Sequence, residues 1–119
     1  MSYPAGYRGY DVDGVLVEYQ GNGGIIPIEP YCIITGNTLS NWKYVVDRCG
    51  SEHPIYASPY GVETQYNDRL SKIWKADMVK KLELIEFYDD REEVATYVKK
   101  KNPNCKVFLV VGCSMEEIE

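Results

Sequence analysis

The sequence predicts an α/β fold, a sandwich built on an open and mostly parallel sheet. Three features predict it. Short β-branched apolar runs alternate with stretches of helical spacing, the connections between them are short, and polar residues gather where the apolar runs stop.

Taken in order, "RGYDV" at Arg8 to Val12 reads as a first strand ending at acids, with Asp11, Asp13 and Gly14 in close succession. "GVLVEY" and the turn signal "GNGG" at Gly21 to Gly24 suggest a hairpin from Val15 to Ile28 folded over the strand end. "YCIIT" at Tyr31 to Thr35 has the pattern of a strand buried on both faces. Leu39, Trp42, Val46 and Cys49 then recur at helical spacing, with Asn37 or Thr38 as cap and Gly50 as stop. "PIYASPYG" supplies a third strand and a turn. Leu70, Ile73, Trp74, Met78 and Leu82 mark one face of a second helix capped by Asn67 or Asp68. "LIEFYDD" is a fourth strand ending in two acids, and "REEVATYVKKKNPN" is a helix whose acidic start and lysine-rich end suit its dipole. "KVFLVV" is the fifth strand.

Length and composition set outer bounds. The 119 residues amount to one domain, residues 1–119, of ordinary globular composition. A net charge of −5 excludes a general attraction to nucleic acid or an anionic membrane, so an anionic substrate needs a local cation. No apolar run approaches the ~20 residues of a spanning helix, and "MSYPAGYRGY" lacks a signal-peptide core; no membrane association and a cytoplasmic location are expected. Cys32, Cys49, Cys105 and Cys113 have no metal-ligand spacing and are expected to be buried, small apolar side chains. His53 reads as a loop histidine, and Lys99 to Lys101 as a solvated helix end.

In open parallel sheets ligands bind beyond the carboxyl ends of the strands. Asp11 and Asp13 end strand one, Thr35 ends strand two, and Asp89 and Asp90 end strand four, so these polar groups share one rim. Carboxylates crowded there repel one another unless a cation shares them, and Mg²⁺, a hard ion that keeps positions open for phosphate oxygens, suits the donors.

Four motifs in order make a resemblance. "DVDGV" at Asp11 to Val15, "IITG" at Ile33 to Gly36, "WKAD" at Trp74 to Asp77 and "FYDDR" at Phe87 to Arg91 resemble the four motifs of the haloacid dehalogenase-like (HAD) phosphatase superfamily. The chain is most similar to small, capless members, some acting on nucleotide or polynucleotide phosphate ends. The resemblance implies a Rossmann-like three-layer sandwich with a mostly parallel, five-stranded sheet and no cap domain. It also implies a Mg²⁺-dependent phosphomonoester hydrolase working through an aspartyl-phosphate. Asp11 is then the nucleophile and Asp13 the acid and base, while Thr35, Gly36 and Lys75 hold the phosphoryl group. Asp11, Asp13, Asp89 and Asp90 hold Mg²⁺, with the inner member of the Asp89–Asp90 pair left open.

The chain departs from that family in having only about twenty Gly- and Ile-rich residues, and no crossover helix, between strands one and two. Ile25, Ile26 and Ile28 are expected on the surface, where they suit a homodimer contact. An uncapped rim suits large phosphorylated substrates: a nucleotide, a nucleic-acid end or a phosphoprotein. The alternative is a phosphate- or partner-binding module of the same fold with little catalysis. A phosphoacceptor signalling domain ranks last, because "IYASPYG" offers no acceptor aspartate at the end of strand three.

Overall fold

The computed structural model of the protein describes residues 6–12, 14–16, 24–36, 53–59 and 67–119. They form an α/β domain around one six-stranded sheet: β1 (Arg8–Tyr10), β2 (Tyr31–Thr35), β3 (Ile55–Ala57), α1 (Asp68–Leu82), β4 (Glu86–Asp89), α2 (Glu92–Lys101), β5 (Lys106–Val111) and β6 (Ser114–Ile118). The strand order is β3-β2-β1-β4-β5-β6. The first five strands are parallel, and only β6 runs antiparallel, against β5. Chain order therefore reverses direction between β1 and β4, leaving a crevice at the carboxyl ends of those two neighbours.

The five-stranded expectation missed β6, which is too polar to carry an apolar signal. Ser114, Met115, Glu116 and Glu117 are all exposed, and Gly112, at φ +63°, makes the tight turn that returns the chain along β5. Acids on an edge strand discourage pairing with a second sheet. Replacing Glu116 and Glu117 together by Val is expected to cause concentration-dependent self-association, read by sedimentation velocity. A variant that stays monodisperse would show that these acids do not guard the edge.

Strand alternation builds two apolar layers. On one face Cys32, Ile34, Phe87 and Val107 pack under Trp74, Val79 and Leu82 of α1 and Val94, Ala95 and Val98 of α2. On the other, Tyr31, Ile33, Tyr10, Tyr88 and Val110 form a buried layer with Val12 and Val15. Tyr10 stacks on Tyr88 at 4.3 Å and Tyr88 on Phe108 at 4.7 Å, a ladder of rings across three adjacent strands. Both described helices thus cover one face. The predicted helix around Leu39 to Cys49 lies outside the described residues, as does the middle of the predicted hairpin. The base of that hairpin is seen in Ile25 N–H donating to the Val15 carbonyl at 2.8 Å.

Helix α1 begins where Asn67 Oδ1 accepts from the N–H groups of Arg69 and Leu70, at 3.0 and 3.2 Å. It ends at Glu83, whose left-handed conformation returns its N–H to the carbonyls of Val79 and Lys80. Its buried stripe differs from the apolar one the sequence suggests. Ser71, Lys75 and Val79, four residues apart, are all buried, whereas Ile73, some 200° around the helix from Lys75, is 40% exposed. The Lys99 ammonium ties the loop that follows α2 to the helix by donating to the carbonyls of Pro103 and Cys105.

Other surface expectations divide. Cys32 and Cys105 are buried, with thiols pushed up to about 12 by burial, but Cys113 is exposed in the β5–β6 turn, where no layer covers it. Cys49 lies outside the described residues. Ile26 and Ile28 are exposed as expected, while Ile25 turns inward onto the tyrosine layer. His53 lies in the loop before β3, as expected, and stacks there on Tyr31 at 3.9 Å. Among the described residues no helix is long and apolar enough to cross a membrane.

Candidate metal and phosphate site

Alternation and register bring the acids together. Gly9 lies on the helix-covered face beside Ile34, Leu84 and Phe87, and Tyr10 on the other; Asp11, next in turn, comes back to the helix side. In β4 the same alternation sets Phe87 and Asp89 on the helix side and Tyr88 opposite. Tyr10 pairs with Tyr88 in register, and Asp11 N–H extends the ladder by donating to the Tyr88 carbonyl at 3.1 Å. Asp11 and Asp89 are therefore neighbours on one face, at the point where chain order reverses. Asp90 joins them: each of the three acids offers a carboxylate oxygen, and these oxygens lie within 4.8 Å of one another.

A lysine answers the like charges. Lys75 stands in the buried stripe of α1, only 3% exposed, with Nζ 2.7 Å from Asp89 Oδ2 and 3.4 Å from Asp11 Oδ1. Asp89 is fully buried and accepts at both oxygens, its Oδ1 taking the Arg91 N–H at 3.0 Å. Asp90 sits closer to solvent than the other two acids. Lys72, one turn before Lys75, is engaged elsewhere, with Glu93 at 3.3 Å and over the Tyr97 ring.

The charges remain unbalanced. Burial pushes the Asp11 carboxyl up to about 8, and Asp89 and Asp90 add to the effect, while Lys75 opposes it. Asp90 is raised to about 6, by burial and by Asp89. Burial alone would lower the Lys75 ammonium, but Asp11 and Asp89 together carry it above the ordinary lysine range. Three carboxylates against one ammonium leave a partly buried, oxygen-rich cluster of net negative charge, the donor chemistry that a small hard dication takes.

These shifts predict a pH dependence. Asp11 and Asp90 hold protons more tightly in the folded chain than in the unfolded one, whose values lie near 3.8. Their contribution to metal-free stability therefore falls as pH rises from about 4 to about 8. The lysine contribution stays complete across that window, because it is lost only above the ordinary lysine value of 10.5. The melting temperature of chelator-treated protein is expected to drop between pH 5 and pH 8, and Asp11→Asn to flatten the drop. Equal slopes in the native and variant melts would show that Asp11 is not the group responsible.

Of the residues singled out in the sequence, the fold brings together Asp11, Lys75, Asp89 and Asp90. Thr35 is buried at the end of β2, the strand beside β1, and its carbonyl accepts the Ser58 N–H at 3.1 Å. Strand alternation assigns the Thr35 side chain to the tyrosine face, opposite Asp11, so Thr35 shares the rim with the acids but not their face, and Gly36 follows it on that rim. Asp13 lies outside the described residues. One neighbour was missed: Gly14, at φ +79°, packs its Cα against Asp90. Its signal was available, as a glycine directly after the paired acids. No family model matches the chain, and no curated protein and no solved structure matches it either.

Proposed function

We propose that the protein is a Mg²⁺-dependent phosphomonoester hydrolase working through an aspartyl-phosphate, on a Rossmann-like, HAD-type domain. The observation that carries this reading is the convergence of Asp11, Lys75, Asp89 and Asp90 at the reversal point of a β3-β2-β1-β4-β5 parallel sheet. In doubly wound α/β sheets that is where ligands bind.

Asp11 and Asp90 are the side chains for Mg²⁺. Asp89 already accepts from Lys75 and from Arg91 N–H, which makes it the anchor of the lysine rather than the inner ligand. Held there, the ion would supply the positive charge that offsets the phosphate oxygens and the carboxylates. Asp11, having released its proton to solvent water, attacks phosphorus; an O–P bond forms, the ester O–P bond breaks, and the leaving oxygen takes a proton from Asp13. Water then attacks the aspartyl-phosphate, Asp13 takes its proton, and inorganic phosphate leaves. Lys75 holds Asp11 in line and offsets charge that builds on the phosphoryl oxygens. Gly36, on the same rim, contributes a backbone N–H to the phosphate, whereas the Thr35 hydroxyl, on the tyrosine face, takes no part in this step although the sequence resemblance gives it one. Asp13 and Gly36 enter on the sequence resemblance.

The test is release of phosphate from an aryl phosphate by the native chain, with Mg²⁺ and with chelator. Turnover that needs Mg²⁺ supports the reading. Mg²⁺ binding without turnover would leave the second reading, a phosphate-binding module of the same fold. That reading draws on the raised Asp11 carboxyl, because a protonated acid is no nucleophile. Nucleotides, nucleic-acid ends and phosphopeptides are the substrate classes to compare, and Ile26 and Ile28 are the surface to examine for a homodimer.

A further inference from the structure

Gly14 follows the strand-one acids, in a left-handed conformation that side chains with a Cβ rarely adopt. The conformation alone would account for a glycine in a turn. A second constraint is independent of it. A Cβ built on Gly14 collides with the Asp90 carboxylate, at both Oδ2 and Cγ, and comes within 3.0 Å of Asp90 Cβ. The colliding atoms belong to the movable end of the Asp90 side chain, so a Cβ at position 14 turns the carboxylate out of its present place, while Asp90 Cβ need give only slightly. The loop after β1 and the end of β4 thus meet across the crevice through a glycine Cα on one side and an acid on the other.

We propose that Gly14 is a positioning residue for the metal site: its bare Cα admits the Asp90 carboxylate to the place where it shares a cation with Asp11. The inference rests on the hydrolase reading only through the cation. With any side chain at position 14, Asp90 is driven out of the crevice, and the remaining acids, Asp11 and Asp89, are those already engaged with Lys75. The dication then loses its most open ligand. Sequence position explains why both residues are needed: they belong to segments far apart in the chain and meet only because β1 and β4 are adjacent.

The experiment is Mn²⁺ binding to metal-stripped full-length protein, followed by the electron paramagnetic resonance of the free ion and needing no substrate. Two variants separate collision from backbone strain. Gly14→Ala suffers both, whereas Gly14→Asn tolerates the left-handed conformation but still carries a Cβ. Both are expected to bind Mn²⁺ at least tenfold more weakly than the native chain, with the Asn variant melting at the higher temperature. Native affinity in either variant, or affinity that recovers in Gly14→Asn together with stability, would overturn the proposal and leave backbone conformation as the reason for the glycine. A native chain that binds no Mn²⁺ would overturn the metal reading itself, and this inference with it.

Discussion

Asp11→Asn is expected to abolish Mg²⁺-dependent phosphate release, lowering kcat by on the order of 10³-fold or more at saturating metal and substrate. The amide keeps the shape of the carboxylate and its acceptor oxygen toward Lys75, 3.4 Å away, but it cannot form an acyl phosphate. Removing a negative charge from a buried cluster also relieves repulsion from Asp89 and Asp90, so the fold should be kept or stabilised. Comparing kcat and melting temperature in one variant therefore separates chemistry from folding. A kcat within tenfold of native, with metal saturating, would show that Asp11 is not the nucleophile.

Lys75→Met has the largest expected effect on stability. Met fills much of the same volume, yet the change leaves Asp11 and Asp89 buried without their cation. Breaking a buried pair in this way costs about 3–5 kcal/mol. Urea denaturation of metal-free protein at pH 8 should show the midpoint falling at unchanged slope. The loss should shrink at pH 5, where the raised Asp11 carboxyl is protonated and no longer needs a partner, and also in Mg²⁺, which replaces the missing charge. A loss below about 1 kcal/mol at pH 8, the range of a solvated surface pair, would mean that water reaches the cluster freely.

Much of this site was legible because its signals are local. Acids at the ends of apolar runs mark strand ends whatever the rest of the chain does, and the Asn67 cap and the acidic start of α2 are likewise read from a few adjacent residues. What failed to show depends on neighbours. Ile73 looks like core by residue type but is turned outward, because the docking of α1 centres its buried stripe on Lys75. A lysine placed between Ser71 and Val79 breaks the rule that such a stripe is apolar, and that breach was the readable sign of its role. Strand β6 carries acids where an apolar pattern was sought, since its pairing comes from backbone hydrogen bonds to β5 and hardly from burial. Cys113 resembles the buried cysteines in sequence and differs only in lying past the edge of both layers.

By itself, the sequence determined that strands and helices alternate and that Asp11, Thr35, Asp89 and Asp90 stand at strand ends, because period and capping are properties of short segments. The motif resemblance pointed besides to Lys75 as the cation of the site. Only the tertiary structure decided that β1 lies beside β4 in a register that makes Asp11 and Asp89 neighbours, that Lys75 rather than Lys72 stands between them, and that Gly14 meets Asp90. The physical reason is that like charges and their counter-charge act over a few ångströms of space. Separation along the chain leaves that distance open until the strands pair.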